Sequence, residues 1–214
     1  NARKMEEVTY DEMLEMASLG AKVLHSRCVE IAKKYGVELL VCSSLNRNSG
    51  TMVREKTKME KMLISGVAAD KNVAKIRVAG LGNDPESTFR LLNLLDRNNL
   101  NIDVMIQSLG KDGTKSVSFT VAKPDMLRTI DVLNDNKDSL GIKKLDYDEN
   151  VAKISVIGAG VRSHSGVAAK MFGALANAGI NTEMITTSEI RITALIDEAY
   201  ADQAMRAIHE TFLE

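Results

Sequence analysis

The sequence has few cysteines, no excess of either charge and no long apolar run, and each shortage narrows the possible functions. Cys28 and Cys42 are the only cysteines, they lack metal-ligand spacing, and we expect reduced thiols in the core of a cytoplasmic protein. The 28 basic and 29 acidic side chains give no support for binding to nucleic acid or a membrane. No apolar run approaches the roughly 20 residues that span a bilayer, and the polar start NARKMEEV does not resemble a signal peptide.

An internal repeat is the clearest feature that the sequence does contain. The segment Ala74–Ser108 begins AKIRVAGLG and ends NIDVMIQS, and Ala152–Ser188 begins AKISVIGAG and ends NTEMITTS. Each copy reads as an alternating strand that ends in glycine, a short loop, an apolar-periodic helix and a second strand led by asparagine. The strands Asn101–Ser108 and Asn181–Ser188 each place a carboxylate two residues after that asparagine.

The first copy continues with a strand, a helix and a fourth strand, which makes a βαββαβ unit of about 70 residues. In the second copy the chain stops after the second helix, so a fourth strand is missing. We expect the preceding strand Met62–Ala68 to fold back and complete that sheet, since an edge would otherwise stay open. The fold class is therefore α+β, with two interleaved ferredoxin-like βαββαβ modules preceded by a partial α/β segment.

The first 58 residues have a different pattern. They contain two helical stretches, a possible capping box at Thr9 and Glu12, and a mostly apolar strand Val37–Ser44 that we expect to be buried. The polar run from Ser44 to Lys61 is typical of a linker. The chain begins with Asn, so we expect processing, a tag remnant at Asn1-Ala2 or a cut from a longer protein.

The sequence is identified as a member of the aspartokinase family by three stretches. TYDEMLEMASLGAKVLHSR with VEIAKKYGVELLVCSS resembles the end of the catalytic domain, and the two repeats, with NTEMITTSEIRITALI the most specific part, resemble regulatory ACT modules. The resemblance implies four segments: 1–58, kinase-domain remnant and linker; 59–73, the strand completing the second ACT module; 74–150, ACT domain 1; 151–214, ACT domain 2.

The family transfers the ATP γ-phosphoryl group to aspartate, the first step toward lysine, threonine and methionine. The resemblance thus implies a parent kinase that needs ATP and Mg²⁺ and is inhibited by end-product amino acids. The lysine- and glycine-rich catalytic motif is missing, so no cofactor and no turnover are expected of this chain alone. It also has Ser26 in LHSR where the family usually has Pro, which leaves the local turn open.

The repeated loops and strand starts suit an amino-acid ligand. Backbone N–H groups at a helix start can bind a carboxylate, and Asp103 and Glu183, which we expect at the same end of the sheet, can accept an ammonium. The candidate effector-binding residues of the first copy are Asn83, Asp84, Pro85, Ser87, Thr88, Asn101, Ile102, Asp103 and Gln107. Those of the second copy are Arg162, Ser163, His164, Gly166, Val167, Asn181, Thr182, Glu183, Ser188 and Glu189.

Simpler interpretations compete with this one. A lone carboxylate at a strand start is usually solvated, and a lone asparagine there usually belongs to a turn. GAGVRSHSG lacks the spacing of a phosphate-binding glycine loop, and no catalytic or metal-binding residues are predicted.

Two functions of different class follow. The first is the regulatory part of an aspartokinase that binds L-lysine, L-threonine or both, and works with a catalytic domain of the same polypeptide or a catalytic subunit. The alternative is a free-standing ACT module for sensing or oligomerisation, which predicts no kinase segment upstream. Either way we expect a homodimer through the edge strands Asn101–Ser108 and Asn181–Ser188.

Overall fold

The computed structural model describes residues 4–45, 49–55 and 64–213. It divides into two compact units, the first formed by residues 1–70, 153–196 and 200–214, and the second by residues 71–152 and 197–199. None of the helices in the described ranges combines the length and the apolar character that crossing a bilayer requires.

The N-terminal part of the first unit is a small α/β layer. Its elements are β1 (Glu7–Thr9), α1 (Tyr10–Ser18), α2 (Ser26–Tyr35), β2 (Leu39–Val41) and β3 (Thr51–Arg54). The strands lie in the order β1-β3-β2, with β1 parallel and β2 antiparallel to β3. The helices pack on this sheet through a core of Val8, Tyr10, Met13, Val29, Ala32 and Val53.

The capping box at the start of α1 is confirmed. The Glu12 N–H donates to Thr9 Oγ1, and the Glu12 carboxylate accepts from the Thr9 N–H at 3.1 Å. This reciprocal pairing satisfies two backbone donors that a helix start leaves without partners.

Three expectations for this region are wrong. The run that we interpreted as a linker contains β3, which joins β1 and β2 into one sheet. The predicted strand Val37–Ser44 is reduced to Leu39–Val41, with the Leu40 side chain 60% exposed. Cys28 and Cys42 are both exposed, because helical and strand periodicity alone does not show which face is covered.

The second unit carries the first module. Its elements are β4 (Gly66–Leu81), α3 (Pro85–Arg97), β5 (Met105–Leu109), β6 (Lys115–Ala122), α4 (Met126–Asp135), α5 (Lys137–Leu140) and β7 (Lys144–Ile157). Its strands lie in the order β5-β6-β4-β7, and β6 runs antiparallel to both of its neighbours. Phe119, Leu91, Leu95 and Leu133 are buried in the core between sheet and helices.

The second module lies in the first unit. After β7 come α6 (Gly160–Ser163), α7 (Val167–Asn177), β8 (Met184–Thr187), β9 (Arg191–Asp197) and α8 (Ala201–Leu213). The strands follow the order β4-β7-β9-β8, and β8 is antiparallel to β9. The residues just before β4 join the same sheet, since the Ser65 N–H donates to the Ile157 carbonyl at 2.7 Å.

The interleaved fold class is confirmed. The first residues of β4 belong to the second module and its last residues to the first module. The first residues of β7 belong to the first module and its last residues to the second. The sequence suggested separate strands at these places, whereas the structure has two long ones of 16 and 14 residues. Met62 and Leu63, the first residues of the predicted completing strand, lie outside the described residues.

The turn at LHSR is retained without proline. α2 begins at Ser26, and His25 caps it by accepting a hydrogen bond from the Arg27 N–H through Nδ1. His25 has φ −75° and ψ 131°, which is the extended conformation that a residue before proline prefers.

Ser26→Pro should therefore stabilise the chain. The first helical position does not need its N–H, and proline restricts the unfolded state, so the free energy of unfolding should rise by about 0.4–1 kcal/mol. Urea titration should show a higher midpoint at an unchanged slope. Glu30→Pro, in the interior of the same helix, is the control and should cost about 3 kcal/mol. A lower midpoint for Ser26→Pro would contradict this account of the helix start.

Candidate functional site

The start of α3 in the first module is occupied by the chain's own carboxylate. Asp84 is the N-cap, and its Oδ1 accepts from the N–H groups of Glu86 at 2.9 Å and Ser87 at 2.8 Å. Pro85, at the first helical position, has no N–H to offer. The anion-binding groups expected here are thus already satisfied by Asp84.

The electrostatics of Asp84 agree with that role. The hydrogen bond from the Ser87 hydroxyl lowers the pKa of the Asp84 carboxyl the most, and the backbone N–H groups of Ser87 and Glu86 and the nearby Arg90 guanidinium lower it further. The Lys115 ammonium donates to the Asp84 carbonyl at 2.7 Å. Sequence reasoning missed Lys115, because only the register of β6 beside β4 brings it to this loop.

The start of α7 in the second module is different. Its N-cap is Gly166 at φ 117°, which as a glycine has no side chain that could cap the helix. Positive φ at this residue suits glycine, which has no Cβ to strain. Within the described structure the start of α7 therefore has no built-in carboxylate corresponding to Asp84, although Val167, predicted as a contact, is buried.

In each module a side chain at or just before the start of α3 or α7 contacts a side chain on or just after the second strand. In the first, the Thr88 hydroxyl donates to Gln107 Oε1 at 2.6 Å. In the second, Arg162 donates to Glu189 Oε1 at 3.0 Å, and both side chains are more than two-thirds exposed. Sequence reasoning assigned Thr88 and Gln107 to the first copy and Arg162 and Glu189 to the second, and the structure brings the two members of each pair together.

Asp103 and Glu183 do not lie beside these loops in their own modules, so that expectation is wrong. The Asp103 N–H donates to the carbonyl of Thr120, whose partner on β4 is Lys75, whereas the loop follows Leu81. Six residues of extended chain, at about 3.3 Å each, separate Asp103 from Leu109, or about 20 Å. The physical reason is that β5 runs parallel to β4 through a helix that returns to the opposite end of the sheet.

The same separation applies to the second module. The Glu183 N–H donates to the Leu195 carbonyl, whereas Ser188 and Ile190 lie near Arg191 and Gly158, at the loop end. The predicted strands are also shorter than expected, since β5 begins at Met105 and β8 at Met184. In the first module the buried Thr120 hydroxyl accepts the Val104 N–H, which interrupts the regular ladder.

The remaining candidates fall into two classes. Ser87 is buried and Ile102 packs partly against the core, so both are structural parts of the module. The exposed candidates are Asn83, Asn101, His164 and Asn181, while Thr182 is half-buried. The side chain of Ser163 lies outside the described residues. In the described part of the chain, no group of His, Cys, Asp and Glu side chains could hold a metal ion.

Comparison with known protein families finds a match for the N-terminal segment and another for the second module. The amino acid kinase family model matches residues 1–43, and an ACT domain model matches residues 154–212. The aspartokinase of Pseudomonas aeruginosa is 40% identical over 99% of this chain and 52% of its own length. The chain therefore spans about half the length of such relatives.

Solved structures give the same assignment. The regulatory subunit of aspartate kinase from Thermus thermophilus is 33% identical, with a TM-score of 0.66 over 70% of this chain and 99% of that one. Aspartokinase III of E. coli, in complex with aspartate and ADP, is 25% identical, with a TM-score of 0.87 over 100% of this chain and 48% of that one. The chain belongs to the aspartokinase family.

The kinase-type segment at residues 1–43 argues against the alternative of a free-standing ACT module, because that alternative predicts no kinase segment upstream. The two modules are not equivalent at their helix starts, because one carries Asp84 and the other Gly166. An incoming carboxylate would have to displace Asp84 in the first module, but not in the second.

Asp84→Ala should destabilise the chain at neutral pH, because α3 loses its cap. The pKa of Asp84 is lowered on folding, so its contribution is present above the unfolded value of 3.8 and disappears as pH falls through the folded value. Urea titrations of parent and variant should differ at pH 7 and converge in strong acid. Asp84→Ser, which keeps a capping oxygen, is the control and should remain close to the parent at pH 7. Equal midpoints of parent and Asp84→Ala at pH 7 would show that the cap is dispensable.

Proposed function

We propose that this chain is the regulatory part of an aspartate kinase and binds end-product amino acids, L-lysine, L-threonine or both, as feedback inhibitors. The observation that carries the proposal is the joining of a kinase-type segment and an ACT domain in one compact unit. The relative from Thermus thermophilus, a regulatory subunit, supports it.

The parent enzyme would phosphorylate L-aspartate to 4-phospho-L-aspartate with ATP. ATP and Mg²⁺ belong, in this proposal, to the longer kinase polypeptide or to a catalytic subunit in the cytoplasm. The E. coli relative in complex with aspartate and ADP supports this assignment of substrates. This chain alone should bind effectors without turning over ATP.

The chemistry of the loop ends suits the carboxylate of a free amino acid. The α7 start presents backbone N–H groups without a side-chain cap, and Arg162 and Glu189 stand close by with most of their side chains exposed. Backbone donors at a helix start favour an anion. The second module is thus the better candidate for a carboxylate, and the first would use Thr88 and Gln107 as neutral polar contacts.

The carboxylate that accepts the effector's ammonium would come from the start of an edge strand, on a second copy of the chain. Asp103 is about 20 Å from the loop end of its own module. Two copies of β5 paired antiparallel about a two-fold axis would bring the strand start of one copy beside the loop end of the other. We therefore propose that effector sites are shared between subunits, with Asp103 and Glu183 as the ammonium acceptors.

The edge strands are suited to such pairing. β5 and β8 each end the strand order of their sheet, and an open edge is a template for another strand. Met105 and Leu109 on β5 are exposed by 42% and 62%, and Phe89 on the adjacent helix by 64%. Apolar side chains along an open edge indicate contact with another protein surface.

Asp103→Ala and Glu183→Ala should each weaken effector binding without unfolding the chain. A charge-assisted hydrogen bond contributes about 1.5–3 kcal/mol, so the dissociation constant should rise on the order of 10- to 100-fold. Isothermal titration calorimetry with lysine and threonine, singly and together, measures this. Asp96→Ala, an exposed carboxylate on α3 of the first module, is the control and should bind like the parent. Unchanged affinity in both variants would exclude these carboxylates from the site.

The chain should be a dimer at micromolar concentrations, and Met105→Lys should make it monomeric, because a charge on an edge strand opposes pairing. Sedimentation velocity distinguishes the two states. Leu127→Lys replaces a side chain that is 68% exposed on α4, away from the edge strand, and should leave the dimer intact. A monomeric parent, or a Met105→Lys dimer, would rule out pairing through β5.

A further inference from the structure

Two glutamates on one face of α1 contact residues that lead into the second module. Glu12 and Glu15 are three residues apart and so lie on the same side of the helix. The Glu12 residue is only 4% exposed. Its Oε2 takes part in the capping box with Thr9, and its Oε1 accepts from the Ser65 hydroxyl at 2.6 Å.

The contact from Glu12 continues through Ser65 to the loop end of the second module. The Ser65 N–H donates to the carbonyl of Ile157, the last residue of β7, at 2.7 Å. The loop that leads to α7 follows directly after Ile157. One hydrogen-bonded chain therefore connects the start of α1 with the start of this loop.

Glu15 contacts a different strand, β9, at the same end of the second module's sheet. Its Oε2 accepts from Arg191, the first residue of β9, at 2.9 Å, with both side chains at least three-quarters buried. The Arg191 carbonyl in turn accepts from the Ser188 N–H at 2.8 Å, and the Ile190 carbonyl accepts from the Gly158 N–H at 2.9 Å. Glu12 thus contacts the end of β7 through Ser65, and Glu15 contacts the start of β9. These two segments border the loop that leads to α7.

Packing leaves α1 little freedom to move independently of this sheet. Leu19, Ala68 and Ile157 form a buried cluster with Met16. A Cβ added to Gly20, just after α1, would lie 2.2 Å from the Ala69 carbonyl oxygen. Glu15 also compensates the charge of the partly buried Arg191, and breaking such a pair leaves an uncompensated ion.

We infer that α1 couples the kinase-type segment to the amino-acid-binding loop of the second module, with Glu12, Glu15 and Ser65 as positioning residues. This inference rests on the proposed function in so far as an effector occupies that loop. A ligand that shifts the segments around Ile157 and Arg191 must shift α1 or break the Glu12 and Glu15 contacts. By reciprocity, the state of the kinase segment changes effector affinity by the same factor.

Amide hydrogen exchange on the whole chain without ligand tests the connection itself. Glu15→Ala and Ser65→Ala should each speed exchange at Gly158 and Ser188, whose N–H groups donate to Ile190 and Arg191, by about fivefold or more. Asp11→Ala removes an exposed ion pair to Lys33 from the same helix and should leave these rates within about twofold. If Glu15→Ala fails to fold, Glu15→Gln, which keeps the volume and an acceptor, replaces it in the comparison. Unchanged rates in the Glu15 and Ser65 variants would overturn the inference.

Exchange with saturating lysine or threonine tests the coupling. In the parent and in Asp11→Ala, the effector should change exchange of the α1 amides by about fivefold or more, while in Glu15→Ala and Ser65→Ala the response should be largely lost. Calorimetry should show that these variants still bind the effector, with an affinity that differs from that of the parent by no more than the coupling factor, since we place Glu15 and Ser65 as positioning residues and not as effector contacts. A full α1 response in both variants would overturn the inference.

The two proposals fail in different ways. If neither amino acid binds the parent chain, the proposed function is wrong, while faster exchange at Gly158 and Ser188 in the ligand-free variants would still support the connection through α1. If an amino acid binds but α1 does not respond in the parent, the effector site stands and the coupling role of α1 is refuted.

Discussion

The structure depends on one constraint, which is that the inner strands of a βαββαβ sheet need partners on both sides for their backbone N–H and C=O groups. In the second module β7, β8 and β9 supply three strands, and the fourth comes from far upstream in the chain. β4 meets the constraint by entering that sheet with its first residues before it turns to the first module. The interleaved connectivity is the consequence, and it makes residues 64–70 part of a module that begins some 80 residues later.

This connectivity also brings the kinase-type segment into contact with residues of the second module. Because Ser65 stands just before β4, the same short stretch contacts Glu12 of α1 on one side and Ile157 of β7 on the other. A strand supplied from within the second module would have no reason to begin next to α1. The same short stretch of chain thus completes the sheet and contacts the kinase-type segment.

The duplicated modules share a fold but differ at the starts of α3 and α7. An internal carboxylate at the start of α3 satisfies donors that an effector carboxylate would need, and the Ser87 hydroxyl and the Arg90 guanidinium stabilise it there. At the start of α7, glycine at positive φ sets the turn and has no side chain that could cap the helix. Duplication therefore explains the architecture, whereas Asp84 and Gly166 make the two helix starts chemically unequal.

The sequence by itself determined the repeated βαββαβ pattern, the spare strand before it and the family, because alternation, helical periodicity and glycine-ended strands are local signals. It also predicted the capping box at Thr9 and Glu12, which depends only on residues three apart. It could not place β3, the exposed cysteines or Lys115, because each depends on which distant segment lies alongside. Only the tertiary structure decided that Asp103 and Glu183 lie at the opposite end of the sheet from the loops, since the crossover through a helix sets the direction of the second strand and no local pattern records that direction.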